Sequence, residues 1–321
     1  MGELRYNPVL GEWIIVSGKR KERPLLPSGV CPFCPGSPEV PSADWDVLSL
    51  PNKFPSLVPE PDAPEIGGND FYRVAPAQGV CEVVLYTPEH NKTLAELDVS
   101  HIRKIVDHWA YRYTDLGQRD YVKYVFIFEN KGRVIGVTLD HPHGQIYAFP
   151  FIPPRIEKEL ESSKNFYNKN KDCLFCKITE REKKDKVRVI MENEDHIAFL
   201  PFYAKWPFGV HIHTKRHIQS LPQLTSGERD SLAHVLKELL MTFDKLFDFS
   251  FPYIMALHQQ PTDGNNYEYY HFHIEFSSPV REREKLKFFA GVEESMGTVT
   301  FDYRPEDKAE ELRRAYSKIK L

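Results

Sequence analysis

Apolar and polar positions along this chain change period several times, and each change predicts an element. Residues 4–16 (LRYNPVLGEWIIV) hold two short apolar runs separated by Asn7-Pro8 and Gly11, which predicts a hairpin. Residues 24–79 are rich in Pro and Gly and read as irregular, so regular structure is expected to begin at Gly79 with the strand GVCEVVLYTP. From about Val99 to Leu116, Ile102, Ile105, Val106, Trp109 and Tyr113 fall at helical spacing, and Gly117 closes the helix. YVKYVFIFEN predicts a second strand and Asn130-Lys131-Gly132 a turn. HPHGQIYAF predicts a third strand, with His141, His143, Gln145 and Tyr147 on one face and Gly144, Ile146 and Ala148 on the other. Residues 151–172 read as a charged connecting helix and linker.

The same order then returns. Cys173-Leu174-Phe175-Cys176 mirrors Cys31-Pro32-Phe33-Cys34, and VRVIMENEDHIAFLP predicts two strands with a turn. TKRHIQSLPQLT echoes TPEHNKTLAELD, His217 matching His90 and Leu221 matching Leu94. A helix is expected from about Gly227 to Leu246 and a strand at FPYIMALHQQ. YYHFHIEF then stands where HPHGQIYAF stood, with His271, His273 and Glu275 on one face. The parallel is long enough to mark an internal duplication. It divides the chain into halves 1–172 and 173–321, the second ending in a helix over about Pro305 to Ile319.

Composition narrows the class. At 321 residues, 41% hydrophobic and 27% charged, the chain reads as globular, with material for two domains. A formal charge of −4 supplies no general basic field, which argues against nucleic acid as partner. No apolar run reaches the roughly 18 residues of a membrane helix, and MGELRYNPVLGEW is not a secretory leader, so the cytoplasm is expected. In a reducing compartment the pairs Cys31/Cys34 and Cys173/Cys176 favour metal over disulfide. Cys81, left over within CEVVLY, reads as a buried strand residue.

The chemistry converges on His141 to Gln145. Two imidazoles on one strand face stand roughly 6.5–7 Å apart at their α-carbons, near enough for one to bind a metal while the other reacts. Gly144 leaves room for a ligand to approach the backbone. Cys31 and Cys34 offer two thiolates, and His90 and His141 are candidates to complete a four-coordinate zinc site. Repeat equivalence gives a second set, Cys173, Cys176, His217 and His271. A neutral, oriented imidazole is a competent nucleophile toward phosphorus, and Gln145 on the same face can donate an amide N–H to a phosphate oxygen. Glu275 in the matching slot suggests that the second half has lost catalysis.

The run HPHGQ resembles the active-site signature of the galactose-1-phosphate uridylyltransferases of the histidine-triad superfamily, and local matches spread from residue 5 to about residue 315. The resemblance implies an α+β fold of two tandem histidine-triad-like halves, with antiparallel sheets that could join and helices packed on them. It implies uridylyl transfer between UDP-glucose and galactose 1-phosphate through a covalent uridylyl-histidine, with His143 as nucleophile, Gln145 as its phosphate partner, and a homodimer. It assigns Cys31, Cys34, His90 and His141 to zinc. Arg20 and Arg23 match arginines of the nucleotide site, and Asn52 and Phe54 match residues around the uridine, although Lys53 replaces an acidic residue there. Asn130, Gly136 and Thr138 match the loop that lines the phosphates. Lys287 and Phe288 match a sugar-phosphate contact from the neighbouring subunit, whereas Val292 departs from the family's tyrosine. Other family members carry a different metal in the second half, at positions matching Glu159, His258, His271 and His273. His271 cannot easily serve both sets, and the thiolates are expected to win it for a second zinc.

Where related hydrolases carry a third histidine, this chain has Gln145, which cannot shuttle a proton and so favours a transferase. The competing readings are a nucleotide-sugar phosphorylase or adenylyltransferase on the same scaffold and, from another class, a zinc-stabilised binding module.

Overall fold

The computed structural model describes residues 2–18 and 31–320. The first half carries β1 (Gly2–Asn7), β2 (Glu12–Ser17), β3 (Leu48–Pro51), β4 (Val74–Pro76), β5 (Val80–Leu85), α1 (Val99–Gly117), β6 (Tyr124–Lys131) and β7 (His143–Phe149). The connecting helix α2 (Pro154–Asn170) leads into the second half, which carries α3 (Leu174–Asp185), β8 (Val189–Glu192), β9 (His196–Phe199), β10 (His211–Thr214), α4 (Ser226–Phe247), β11 (Tyr253–His258) and β12 (His273–Ser277). A small hairpin, β13 (Val280–Glu282) with β14 (Lys285–Leu286), and the helices α5 (Gly291–Met296) and α6 (Pro305–Tyr316) finish the chain.

Nine strands form one antiparallel sheet in the order β3-β5-β7-β6-β11-β12-β10-β9-β8. The halves meet where β6 pairs with β11, Ile127 opposite Leu257 and Lys131 opposite Tyr253. On either side of that seam the order repeats, β5-β7-β6 against β10-β12-β11, as a duplication requires. The two sheets that the halves could have formed separately are thus one, with β1, β2 and β4 as a separate three-stranded sheet.

Alternation fixes which face is dry. Val125, Ile127, Ile146 and Ala148 from the first half join Met255, Leu257, Ile274 and Phe276 from the second in one core beneath α1 and α4. Those helices bury Ile102, Ile105, Val106 and Trp109 on one side and Leu232, Val235, Leu236 and Leu239 on the other, as their helical spacing requires. Thr225 and Glu228 close a capping box at the start of α4, with Thr225 Oγ1 accepting from Glu228 N at 3.2 Å. The opposite face of the sheet carries the histidines, covered by the Cys31–Val40 loop in one half and by α2 and α3 in the other.

Several elements depart from the sequence reading. Regular structure precedes Gly79, because Leu48–Pro51 pairs with β5 as an edge strand. Leu174 to Asp185 is a helix rather than a loop copied from the first half. Its signal was hidden because only Phe175, Thr179 and Glu182 are buried, leaving almost no apolar period to read. HIHT forms β10, whose inward-facing alternate residues are histidines instead of apolar side chains. Strand β7 also starts at His143, so His141 stands just before it and is more deeply buried than His143.

Candidate active site and metal centres

Cys31, Cys34, His90 and His141 bring their donor atoms within 4.8 Å of one another. The Cys31–Val40 loop is knitted by its own hydrogen bonds, with Ser37 Oγ donating to the Pro32 carbonyl at 2.5 Å and accepting from Val40 N at 3.1 Å. Phe33, buried at the centre of this loop, lies edge-on to His141 at 6.2 Å and to His143 at 5.3 Å. His90 turns Nδ1 toward Cys34 Sγ at 3.3 Å, and His141 does so at 3.8 Å. His141 donates its other nitrogen, Nε2, to the Thr87 carbonyl at 2.8 Å. A carbonyl behind a metal-facing imidazole fixes the ring and its tautomer. Two sulfurs and two ring nitrogens at this separation suit a closed tetrahedral zinc site.

His143 opens β7 opposite Leu85, and its Nδ1–H donates to the His141 carbonyl at 2.7 Å. A carbonyl can only accept, so the proton sits on Nδ1 and the lone pair on Nε2. The peptide of the metal-facing histidine therefore orients the neighbouring imidazole. Gln145, half-buried, stands two residues on, between Val83 and Phe128. Asn130 lies at the end of β6, and Gly136 takes a left-handed conformation (φ 87°) at the close of the 133–135 turn. His143, Asn130, His90 and Lys92 share the wall of a cavity of about 290 Å³, while Gln145, Gly136 and Thr138 stand outside that wall. A shallower depression of about 510 Å³ at the start of α4 is rimmed by Glu194, Asp195, Glu228 and Glu238, a poor setting for phosphates.

The second half builds the first design again. Cys173, Cys176, His217 and His271 also lie within 4.8 Å of one another. His217 and His271 approach Cys176 Sγ through Nδ1 at 3.5 and 3.4 Å. Their Nε2 atoms face the Glu268 carbonyl at 2.9 Å and the Thr214 carbonyl at 3.0 Å. Phe175 packs on His273 at 4.6 Å, as Phe33 packs on His143.

Strand register shows what became of the matching active site. His273 occupies the place of His143, Glu275 that of Gln145, and His258 that of Asn130. His211 and His213 stand where the first half has Val83 and Leu85. Helix α2 lowers Glu159 onto this face, where it contacts His258 Nδ1 at 3.0 Å and accepts from Tyr270 Oη at 2.8 Å. Glu159, His258, His273 and Glu275 form a third cluster with donor atoms within 4.8 Å. Glu275 thus closes the carboxylate set in place of His271, which faces the thiolates. Burial alone would raise the Glu159 carboxyl, but His258 and His273 outweigh it and hold it at about 2. Burial lowers His211 to about 4 and His213 well below its usual range. His258 is instead raised, because Glu159 and Glu275 overcome its desolvation. Arg155 pairs with both carboxylates, at 3.1 Å to Glu159 and closely to Glu275.

Sequence reasoning passed over His211, His213 and Arg155. The available signal was a third H-x-H in the chain, at Val210-His211-Ile212-His213. Arg20 and Arg23 lie outside the described residues. Asn52 Oδ1 accepts from Phe54 N at 2.9 Å, so the asparagine shapes its own turn, and Lys53 pairs with Glu39 at 2.9 Å. Lys287 is buried, its ammonium donating to the Thr300 carbonyl at 2.6 Å and lying 3.4 Å from Glu293. Phe288 beside it is 76% exposed.

Comparison with known proteins agrees with this architecture. Residues 1–153 match the family model "Galactose-1-phosphate uridyl transferase, N-terminal domain", and residues 159–320 match its C-terminal counterpart. The chain is 41% identical to the galactose-1-phosphate uridylyltransferase of Thermotoga maritima, over 99% of this chain and 100% of that one. It is 35% identical to that of Rattus norvegicus, over 97% and 86%. A solved uridylyltransferase superposes with a TM-score of 0.90 at 41% identity, covering 98% of this chain and 99% of that one. An ADP-glucose phosphorylase from Arabidopsis thaliana superposes with 0.76 at 25% identity, covering 100% and 99%. The chain belongs to the galactose-1-phosphate uridylyltransferase family.

Proposed function

We propose that this enzyme moves UMP between UDP-glucose and galactose 1-phosphate in two displacements at His143. The observation that carries this reading is the hydrogen bond from His143 Nδ1 to the carbonyl of His141. It aims the Nε2 lone pair and gives the developing imidazolium a fixed acceptor. In the first displacement Nε2 attacks the α-phosphorus of UDP-glucose, a P–N bond forms, and glucose 1-phosphate leaves with the electrons of the broken P–O bond. In the second, a phosphate oxygen of galactose 1-phosphate attacks the same phosphorus and the P–N bond breaks, regenerating neutral His143 and releasing UDP-galactose. Gln145 holds a non-bridging oxygen without offering a proton.

Arg20, Arg23, Asn52, Phe54, Asn130, Gly136 and Thr138 contribute to the nucleotide and phosphate contacts in this reading. Lys287 and Phe288 belong to the segment that serves the sugar phosphate of a partner subunit in a homodimer, with Phe288 exposed and Lys287 anchored on the Thr300 carbonyl. The two Cys2His2 sets bind one structural zinc each, fixing the loop that carries Phe33 and the approach to β7 and β12. The proposed compartment is the cytoplasm. No helix among the described residues is long and apolar enough to cross a membrane.

Incubation with UDP-glucose labelled in the uridylyl phosphate tests the centre of the proposal. Wild type should take up about one acid-labile label per chain, His143→Ala none, and His273→Ala as much as wild type. Label lost with His273→Ala but kept with His143→Ala would reverse the roles of the halves. Likeness to the ADP-glucose phosphorylase makes inorganic phosphate the control acceptor, and discharge of the label by phosphate in preference to galactose 1-phosphate would favour that second activity.

A further inference from the structure

Gly144 lies between the proposed nucleophile and its phosphate partner, yet alternation turns it to the opposite face, into the layer under α1. Its backbone is not in the left-handed region, so no unusual conformation demands glycine there. A Cβ at this position would stand 2.2 Å from Tyr86 Oη, 2.9 Å from Tyr86 Cζ and 3.1 Å from the Phe128 carbonyl oxygen. The expectation that Gly144 makes room for a ligand is therefore corrected. The room is on the buried face, and a tyrosine hydroxyl already fills it.

Tyr86 holds this stretch at two points. Its backbone N–H donates to the Pro142 carbonyl at 3.1 Å, between the two histidines of the signature. Its ring is fully buried and packs edge-on against Trp109 of α1 at 5.9 Å, while its hydroxyl end bears on Gly144. Glu129, whose carboxylate accepts from Tyr253 Oη at 3.0 Å, lies near the Tyr86 hydroxyl. Tyr86 Oη meets Trp109 Nε1 and the Glu129 carboxylate in this buried layer, with none of the three in an ideal hydrogen-bond geometry. Phenylalanine would fill most of the same space in this layer. What the hydroxyl adds is reach, because Oη is the atom nearest to the Cβ position of Gly144.

We propose that Tyr86 is a positioning residue for uridylyl transfer, its hydroxyl acting as a spacer under Gly144 that sets the height of His143 over the cavity. The proposal rests on the reading of His143 as nucleophile. Small displacements of an attacking atom cost rate more than binding, so the effect belongs in kcat.

The test compares wild type, Tyr86→Phe, Gly144→Ala and the double variant, using the rate of uridylyl-enzyme formation, KM for UDP-glucose, zinc content and melting temperature. Tyr86→Phe should lower the rate of labelling roughly ten- to hundredfold, with KM within about twofold of wild type and zinc content unchanged. Gly144→Ala should lose more. The double variant should then label faster than Gly144→Ala alone, because the worst collision, with Oη at 2.2 Å, is gone and the ring Cζ at 2.9 Å is the nearest atom left. Tyr86→Phe labelling at the wild-type rate, or a double variant no faster than Gly144→Ala, overturns the proposal. If Gly144→Ala does not fold, Tyr86→Phe decides by its kcat and KM alone. A wild type that takes no label defeats the nucleophile reading together with this one, whereas a labelled wild type with an unaffected Tyr86→Phe defeats only this one.

Discussion

At the scale of the residue, the proposed chemistry turns on a side chain that withholds something. Gln145 sits half-buried two residues from His143, with an amide that can hold a phosphate oxygen but cannot protonate a leaving nitrogen or activate water. General acid–base help is typically worth about 10²–10⁴-fold, and in the proposed mechanism its absence protects the uridylyl-histidine from hydrolysis by a similar factor. Galactose 1-phosphate needs less help, since its anionic oxygen is already a nucleophile. Replacing Gln145 by His should raise UMP release from UDP-glucose without acceptor by at least about tenfold, measured against exchange with galactose 1-phosphate. Equal UMP release in wild type with and without acceptor would defeat the transferase reading. His143 and Gln145 were legible because period-two alternation is a local property. Gly144 was misread because only packing shows which side chain lies beneath it.

At the scale of the element, the seam between β6 and β11 joins the halves, and it contains a buried acid. Burial pushes Glu129 up to about 7, although Tyr253, Lys131 and Tyr86 each pull it down. Tyr253 reaches it from β11, Tyr86 from the end of β5, and Lys131 from β6 itself. Lys131 is in turn paired at 3.0 Å with Asp244 of α4. A carboxyl raised in the folded state keeps its proton where the unfolded chain has lost it. Its contribution to stability therefore falls as pH rises from about 4.5 to 7 and is fully unfavourable above that. Glu129→Gln removes the titration. The variant's stability relative to wild type should rise between pH 5 and pH 8, by on the order of 3 kcal/mol at the upper end, read as a widening difference in melting temperature. A difference that is flat across that range would show that Glu129 does not titrate in the seam. The sequence exposed β6 and β11 plainly but gave no sign that they pair with each other. Edge strand β3 and helix α3 were missed because neither carries enough buried apolar residues to set a period.

At the scale of the whole molecule, the duplication has kept both Cys2His2 ligand sets and changed the side chains beside them. Both Cys2His2 sets use Nδ1 toward sulfur and Nε2 toward a carbonyl, and each lies beside an H-x-H strand. The first half follows with asparagine and glutamine around His143, and the second with Glu159, His258 and Glu275 around His273. Metal analysis should find about two zinc ions per wild-type chain and one in Cys173→Ser. The variant should melt lower, because a structural metal contributes folding free energy. One zinc in wild type, with Cys173→Ser unchanged in both zinc content and melting temperature, would remove the second site. Loss of labelling at His143 in Cys173→Ser would show that the halves are coupled through the shared sheet.

What the sequence determined by itself was whatever depends on neighbours along the chain. This covers the strand that bears His143 and Gln145, the helices whose apolar residues recur at helical spacing, the two Cys-x-x-Cys pairs and the repeat that matches them with histidines. What only the tertiary structure decided depends on residues far apart in sequence. His271 turns to the thiolates and leaves Glu275 to complete the carboxylate cluster with Glu159. His211 and His213 face that cluster across the register of β10 and β12. Tyr86 fills the space at Gly144, and the halves share one sheet. The physical reason is range: periodicity and spacing act over a few residues, whereas ligand choice, burial and register are settled where strands from distant parts of the chain meet.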